Sequence, residues 1–270
     1  MNIVDVGTGA PIVVIPGIQG RWEWMKPAIE ALATRSRVIT FSLADEPTSG
    51  GHYDDADGFS SYVDGVREVL DAAGVDRASI CGVSYGGLIA AAFAARHPDR
   101  VASLVLVSAI SPSWRPDDRV RFYLRAPWLL TPLFLVGSLR LYREIAVASD
   151  SWWQGVTAAA RHGWNVLRHM FHPGRMARRV HLLGSVSTEA ALARVQVPTL
   201  IVTGDQGFDR VVPASVTRQY LELWPHARAV TIARTGHLGL ITRPAEFAAA
   251  VSTFAAQHAG RDVEPRRRLG

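Results

Sequence analysis

Short apolar runs alternate along the chain with longer segments whose apolar residues recur every three or four positions. Ile3–Val6 and residues 11–16 are β-rich, and the Gly7-Thr8-Gly9 between them suggests a hairpin feeding a strand that ends at Pro16-Gly17. Gly7-x-Gly9 is no dinucleotide fingerprint, because it precedes a strand where that fingerprint must follow one and open a helix. Residues 24–34 have a helical pattern, 37–43 read as the next strand, and 57–73 carry apolar residues near helical spacing, with Gly74 as a stop. Ala78–Val83 reads as a short buried strand, and 86–96 (GGLIAAAFAAR) as a helix whose small residues permit close packing on a sheet. His97-Pro98-Asp99-Arg100 turns the chain into 101–109, a nearly continuous apolar run of the kind buried on both faces. Strands alternating with helices predict a parallel sheet.

Between 111 and 195 the rhythm breaks into helical, proline-punctuated stretches that hold five of the eight tryptophans. It resumes with strands at 199–203 and 229–233 and helices at 213–223 and Pro244–His258. The pattern predicts a core formed by 1–110 and 196–260, a helical cap inserted at 111–195, and a solvated, disordered tail at 261–270 that contains Arg266-Arg267-Arg268. Residues 126–139 (APWLLTPLFLVGSL) are the most apolar stretch, yet they fall short of the roughly 20 residues a bilayer span needs. They are expected to line a pocket under the cap rather than a membrane interface, since a cap over an active site presents apolar surface inward. Trp128 and Trp153 are the aromatic residues expected there against substrate.

At the centre of the pattern lies Ile80-Cys81-Gly82-Val83-Ser84-Tyr85-Gly86-Gly87, a serine fenced by glycines between a strand and a helix. This is a G-x-S-x-G nucleophile elbow: the turn is so tight that the serine takes a strained, positive-φ conformation and only small neighbours let the backbones approach. The hydroxyl is thereby lifted clear of the sheet, and the N–H of Tyr85 points toward the same space. A serine alone is a poor nucleophile and needs a base and an oxyanion site.

Two later stretches supply what Ser84 lacks. Thr235-Gly236-His237 follows the last predicted strand, and Gly204-Asp205-Gln206-Gly207-Phe208-Asp209-Arg210-Val211-Val212-Pro213 follows the strand before it. With these residues the chain resembles the α/β-hydrolase superfamily, specifically its capped, single-domain serine enzymes, over the core from about Val4 to Ala109 and Val197 to Ala256. The order Ser84, Asp209, His237 is that family's order and not that of the trypsin or subtilisin types. The resemblance implies that Ser84 attacks an acyl carbon, His237 takes its proton and returns it to the leaving group, and Asp209 fixes the imidazole tautomer. Asp209 is preferred to Asp205 because Asp209-Arg210-Val211-Val212-Pro213 reproduces the family's spacing to the proline that opens the next helix. Asp205, directly after Gly204, then caps or braces the loop.

By the same resemblance the oxyanion donors are the N–H groups of Tyr85 and Ile18, with Gln19 as the alternative to Ile18. The family's usual His-Gly at that loop stands here as Pro16-Gly17, so the glycine is kept and the histidine is not. A serine at position 84 argues against epoxide opening and halide removal, which use aspartate. Leu238 stands where carbon–carbon bond hydrolases of the family often carry tryptophan, which disfavours that subclass without removing it.

Length and composition fit this picture: 270 residues suffice for one large α/β domain with one insertion. Of the 29 basic residues only Lys26 is a lysine, a skew of genomic composition more than a nucleic-acid footprint, and no nucleic-acid module or phosphate loop is visible. Residues 111–195 hold twelve arginines against five acids, a basic face able to attract acidic substrates or, weakly, anionic lipid headgroups, although a solvated surface is the simpler reading. Cys81 reads as a small buried hydrophobe. His162, His169, His172 and His181 lack the Glu or Cys partners of a metal site, and no cofactor is expected. The N-terminus lacks the marks of a secretory signal, which favours a cytoplasmic protein. The expected function is a serine hydrolase cleaving a carboxylic ester, or a related acyl bond, of a small apolar or aromatic molecule. The alternatives are a hydrolase-fold protein that binds a small ligand without turnover, and carbon–carbon hydrolase or acyl-transferase chemistry on the same triad.

Overall fold

The computed structural model describes residues 1–138, 141–149, 151–186 and 189–259. Seven strands form one sheet: β1 (Ile3–Val6), β2 (Pro11–Ile15), β3 (Arg37–Phe41), β4 (Ala78–Val83), β5 (Val101–Val107), β6 (Thr199–Gly204) and β7 (Arg228–Ile232). Their order across the sheet is β1-β3-β2-β4-β5-β6-β7, and every pairing except β1 with β3 is parallel. The tail at 261–270 lies outside the described residues.

The core helices are α1 (Lys26–Ala33), α2 (Phe59–Ala72) and α3 (Tyr85–Arg96) before the insertion, and α10 (Ala214–Leu223), α11 (Gly239–Thr242) and α12 (Pro244–His258) after it. Both faces of the sheet are covered. Ile80, Leu104, Leu106 and Ile201 pack with α2, α3 and α10, whereas Cys81, Val105, Val107 and Val202 pack with α1 and α12. This two-sided burial is why β4 and β5 do not alternate apolar with polar residues, and the serines that interrupt them, Ser79 and Ser103, are buried and hydrogen-bonded to each other. Cys81 is fully enclosed, and burial pushes its thiol up to about 12, which leaves no thiolate at neutral pH.

The expected hairpin between β1 and β2 does not form. β3 lies between them, with β1 antiparallel to it in the register Ile3 to Phe41 and β2 parallel to it on the other side. The Gly-Thr-Gly turn steps over β3 instead. Gly7 at φ 79° and Gly9 at φ 111° lie against the end of α1 and the approach to β3, where Arg37 N–H donates to the Ala10 carbonyl. A turn signal marks a change of direction and carries no information on whether the two strands become neighbours.

Between β5 and β6 the chain is helical: α4 (Asp118–Arg125), α5 (Thr131–Ser138), α6 (Tyr142–Ala148), α7 (Trp152–Arg168), α8 (Pro173–His181) and α9 (Glu189–Leu192). Helices α4, α5 and α7 bury no residue, while α6 and α8 bury three each. Of residues 126–138, expected to face inward, only part does so: Phe134 packs on the buried Phe171, whereas Leu129 is 78% exposed and Val136 64%. Helix α5 is apolar around most of its circumference, so some of its apolar side chains face solvent whichever face packs. Among the described residues no helix is long and apolar enough to cross a membrane.

Candidate active site

β4, β6 and β7 run parallel, so their carboxyl ends share one edge of the sheet, and the three predicted site residues leave from those ends. Ser84 follows Val83 directly at φ 53° and ψ −116°, a left-handed backbone that a side chain rarely adopts, and its N–H donates to the Val107 carbonyl at 2.9 Å. The turn is sterically closed. A Cβ on Gly82 would collide with the backbone of Gly86, and one on Gly86 would lie 2.5 Å from the Pro16 carbonyl oxygen. Strand and helix thus touch where the serine is presented. Tyr85 opens α3, where first-turn N–H groups have no intrahelical partner. Its ring packs against Phe59 and Tyr62, and burial raises its phenol far above the ordinary range.

The loop after β2 comes up beside the serine: a Cβ on Gly17 would sit 3.5 Å from Ser84 Cβ. Gly20 N–H donates to the Gly17 carbonyl at 2.9 Å, and Arg179 Nη1 donates to the Ile18 carbonyl at 2.7 Å. In a trans peptide the N–H points opposite to the carbonyl, so these two bonds fix the directions of the Ile18 and Gln19 N–H groups. Arg179, from α8, is fully buried and also binds Asp45 and Glu46 from the loop after β3, while Arg175 lies 3.6 Å from Glu46. Burial works against the guanidinium charge, and the two carboxylates outweigh it and raise the group further.

Asp209 is the aspartate that meets His237, with Oδ2 3.0 Å from Nδ1. The other oxygen accepts N–H bonds from Val211 at 2.9 Å and Val212 at 2.7 Å. Burial would raise this carboxyl, but the charge of His237, the hydrogen bond to it and the two backbone donors leave it below the ordinary carboxylate value. For His237, burial opposes protonation, and the charge and hydrogen bond of Asp209, together with the charge of Glu144, raise it overall. Asp205 does a different job: it accepts from the Arg234 N–H at 2.6 Å and so ties the loop after β6 to the one after β7. Gly236 lets these loops meet, since a Cβ there would lie 2.7 Å from Asp209 N. Pro213 stands just before the first turn of α10, one position earlier than its expected place inside it.

Trp128 and Trp153, expected against substrate, present most of their surface to solvent. They are 63% and 69% exposed, Trp128 edge-on to His172 and Trp153 to Trp152. Both occur where the insertion exposes apolar surface, which aromatic content alone does not reveal. Three of the four histidines of the insertion have partners unrelated to a metal, with His162 packing on Trp24, His169 3.6 Å from Glu23 and His172 accepting the Arg175 N–H at the start of α8, and His181 lies in the last turn of that helix. Among the described residues no group of three or more His, Cys, Asp or Glu is placed to hold a metal.

Sequence reasoning missed two buried groups of the insertion, Arg179 and Glu144. Glu144, on α6, is 4% exposed and accepts the Leu238 N–H at 3.0 Å. Its signal is faint: it is one of five acids in an arginine-rich segment.

Comparison with known proteins bears on the fold. The family described as alpha/beta hydrolase fold matches residues 10–244. The 2-hydroxymuconate semialdehyde hydrolase of Pseudomonas sp. (strain CF600) is 28% identical over 270 residues, covering 95% of this chain and 90% of its own. A meta-cleavage product hydrolase from Pseudomonas fluorescens IP01 superposes with a TM-score of 0.68 at 23% identity, covering 94% of this chain and 93% of its own. An esterase from Exiguobacterium antarcticum superposes with a TM-score of 0.74 at 19% identity, covering 94% of each chain. The elbow, the parallel strands that carry the three residues and the match over most of the length have one common explanation: this chain belongs to the α/β-hydrolase fold family.

Proposed function

We propose that the protein is a serine hydrolase that cleaves a carboxylic ester, or a related acyl bond, of a small apolar or aromatic molecule through an acyl-enzyme. The observation that carries this reading is the 3.0 Å contact between His237 Nδ1 and Asp209 Oδ2 at the sheet edge where Ser84 is held at positive φ. An ionised Asp209 accepts from Nδ1–H, which leaves the Nε2 lone pair to take the Ser84 proton. The hydroxyl oxygen then adds to the acyl carbon, and the carbonyl oxygen becomes an oxyanion held by the N–H groups of Tyr85 and Ile18. His237 returns the proton to the leaving group, and a water activated by the same imidazole releases the acid and frees Ser84.

A second reading is hydrolysis of a carbon–carbon bond in a ring-fission product, and the 28% identity with a 2-hydroxymuconate semialdehyde hydrolase favours it. Leu238, where such enzymes often carry tryptophan, weighs against it. The test is a fluorophosphonate probe together with two substrate panels, p-nitrophenyl esters of graded chain length and a 2-hydroxy-6-oxodienoate. Labelling at Ser84 with ester turnover supports the first reading, and turnover of the dienoate alone supports the second. Equal labelling of the Ser84→Ala variant removes both, and labelling without turnover of either panel leaves the binding-protein alternative.

A further inference from the structure

Helix α6 sits unlike its neighbours in the insertion: it turns Glu144, Ile145 and Ala148 into the protein, and its last turn is strapped to the core. Arg234 Nη2 donates to the carbonyls of Val147 at 3.1 Å and Ser149 at 3.2 Å, and Arg243 Nη2 donates to that of Ala148 at 3.0 Å. Carbonyls at a helix C-terminus have no intrahelical donor, and cations suit the negative end of the dipole, so the two arginines fix both the position and the direction of the helix. Held this way, Glu144 Oε2 accepts the N–H of Leu238, the residue after His237, at 3.0 Å. The carboxylate therefore grips the backbone directly after His237. Its other oxygen is buried with no hydrogen-bond partner.

We propose that Glu144 is a positioning residue for His237: from the inserted segment it clamps the histidine loop and places a second negative charge behind the imidazole. This rests on reading His237 as the catalytic base. Burying a carboxylate with one oxygen unpaired costs free energy, and an apolar side chain would fill the same space without that cost. The return is electrostatic. As Ser84 gives up its proton the imidazole becomes positively charged, and a fixed anion that needs no reorganisation stabilises that state.

The ionisable groups facing Glu144 are His237 and Asp209 from the core, and the arginines nearest along the strap, Arg234 and Arg243, are turned to carbonyls. Burial, with the charge of Asp209, leaves the Glu144 carboxyl above the ordinary carboxylate value, and the Leu238 N–H and the charge of His237 oppose that rise. Because Glu144 comes from the insertion and His237 from the core, seating of the insertion and strength of the base are one variable.

The experiment compares Glu144→Gln, which keeps size and an oxygen for the Leu238 N–H but removes the charge, with Glu144→Leu, which removes both and spares the chain a buried charge. The readouts are the His237 imidazole titration by NMR of ¹⁵N-histidine-labelled protein, the thermal midpoint, and kcat and KM on an ester. In Glu144→Gln the His237 midpoint should move to lower pH and kcat should fall on the order of ten-fold with KM within about two-fold. Glu144→Leu should fold as well as wild type and lose more kcat. A His237 midpoint unchanged in both variants overturns the proposal, as does Glu144→Leu with wild-type kcat. If no ester is turned over by any form while the midpoint still shifts, the positioning role stands and the acyl-hydrolase reading falls.

Discussion

Asp209 and His237 are joined by a 3.0 Å contact, and the second oxygen of Asp209 is occupied by the N–H groups of Val211 and Val212. The carboxylate cannot rotate without giving up a backbone bond, so the imidazole it meets is held in orientation as well as in protonation. Asp205, four residues earlier, has its Oδ2 on the Arg234 N–H instead. Replacing Asp209 by asparagine keeps the shape but favours the wrong histidine tautomer, at a cost of up to about 10⁴-fold in turnover. Asp209→Asn should therefore lose several orders of magnitude in kcat and Asp205→Asn far less, measured on an ester with both proteins verified as folded. The reverse order would move the acid to Asp205.

The raised His237 sets the direction of the pH response. Turnover requires the neutral imidazole, so kcat/KM should rise with pH through a midpoint above the ordinary histidine value of 6.5. Stability runs the other way for this group: its contribution is full below the unfolded value and is lost as pH rises through the folded one. Asp209, lowered, contributes above its unfolded value and loses that contribution as pH falls through its folded one. Urea unfolding of wild type and Asp209→Asn across pH should show the largest difference between the two limits. A difference that is flat with pH would contradict the ion pair.

Arg179 is enclosed with Asp45 and Glu46, and it holds the Ile18 carbonyl. Removing the cation takes the guanidinium from buried Asp45 and leaves Glu46 only Arg175 at 3.6 Å as a cationic partner among the described residues, a loss of about 3–5 kcal/mol by analogy with broken buried pairs. Arg179→Met should show this in its urea midpoint. Wild-type stability for the variant would mean that the carboxylates find other partners.

Gly82 and Gly86 meet backbone to backbone beneath the serine. Gly82→Ala should be destabilised by at least about 1–3 kcal/mol, the usual cost of overpacking, and should lose fluorophosphonate labelling in the fraction that folds. Full labelling of a stable Gly82→Ala protein would show that the turn is less closed than the structure has it.

Trp128 and Trp153 offer their rings to solvent. Trp128→Ala and Trp153→Ala should leave the rank order of ester chain lengths unchanged and kcat within about two-fold, because surface substitutions rarely exceed ±0.5 kcal/mol. A reordered preference would place these side chains against substrate.

That Ser84, Asp209 and His237 follow strand ends is legible in the sequence, because short β-rich runs mark those strands, while their grouping as one site comes from the resemblance to the α/β-hydrolase superfamily. β4, β5 and α12 coincide with or closely follow their expected bounds for the same reason, since their burial is written residue by residue. The order of β1, β3 and β2 is not legible, because strand adjacency depends on long-range pairing that a Gly-Thr-Gly turn does not encode. Neither are Glu144 and Arg179, whose partners are 94 and 133 to 161 residues away along the chain. A charged residue on a short helix has the same local pattern whether it ends in water or against a histidine loop.

The placement of the three residues along the chain also orders events in time. β1 to β5, and the elbow with them, are complete before the insertion begins, whereas Asp209 and His237 belong to the strands added last, at the free side of β5. During synthesis at about 5–20 residues per second, Ser84 emerges many seconds before any base exists to activate it. On the proposed mechanism, a chain that stalls or is clipped anywhere ahead of β6 holds the strained serine without its base, so incomplete copies of the protein should be silent toward a fluorophosphonate probe.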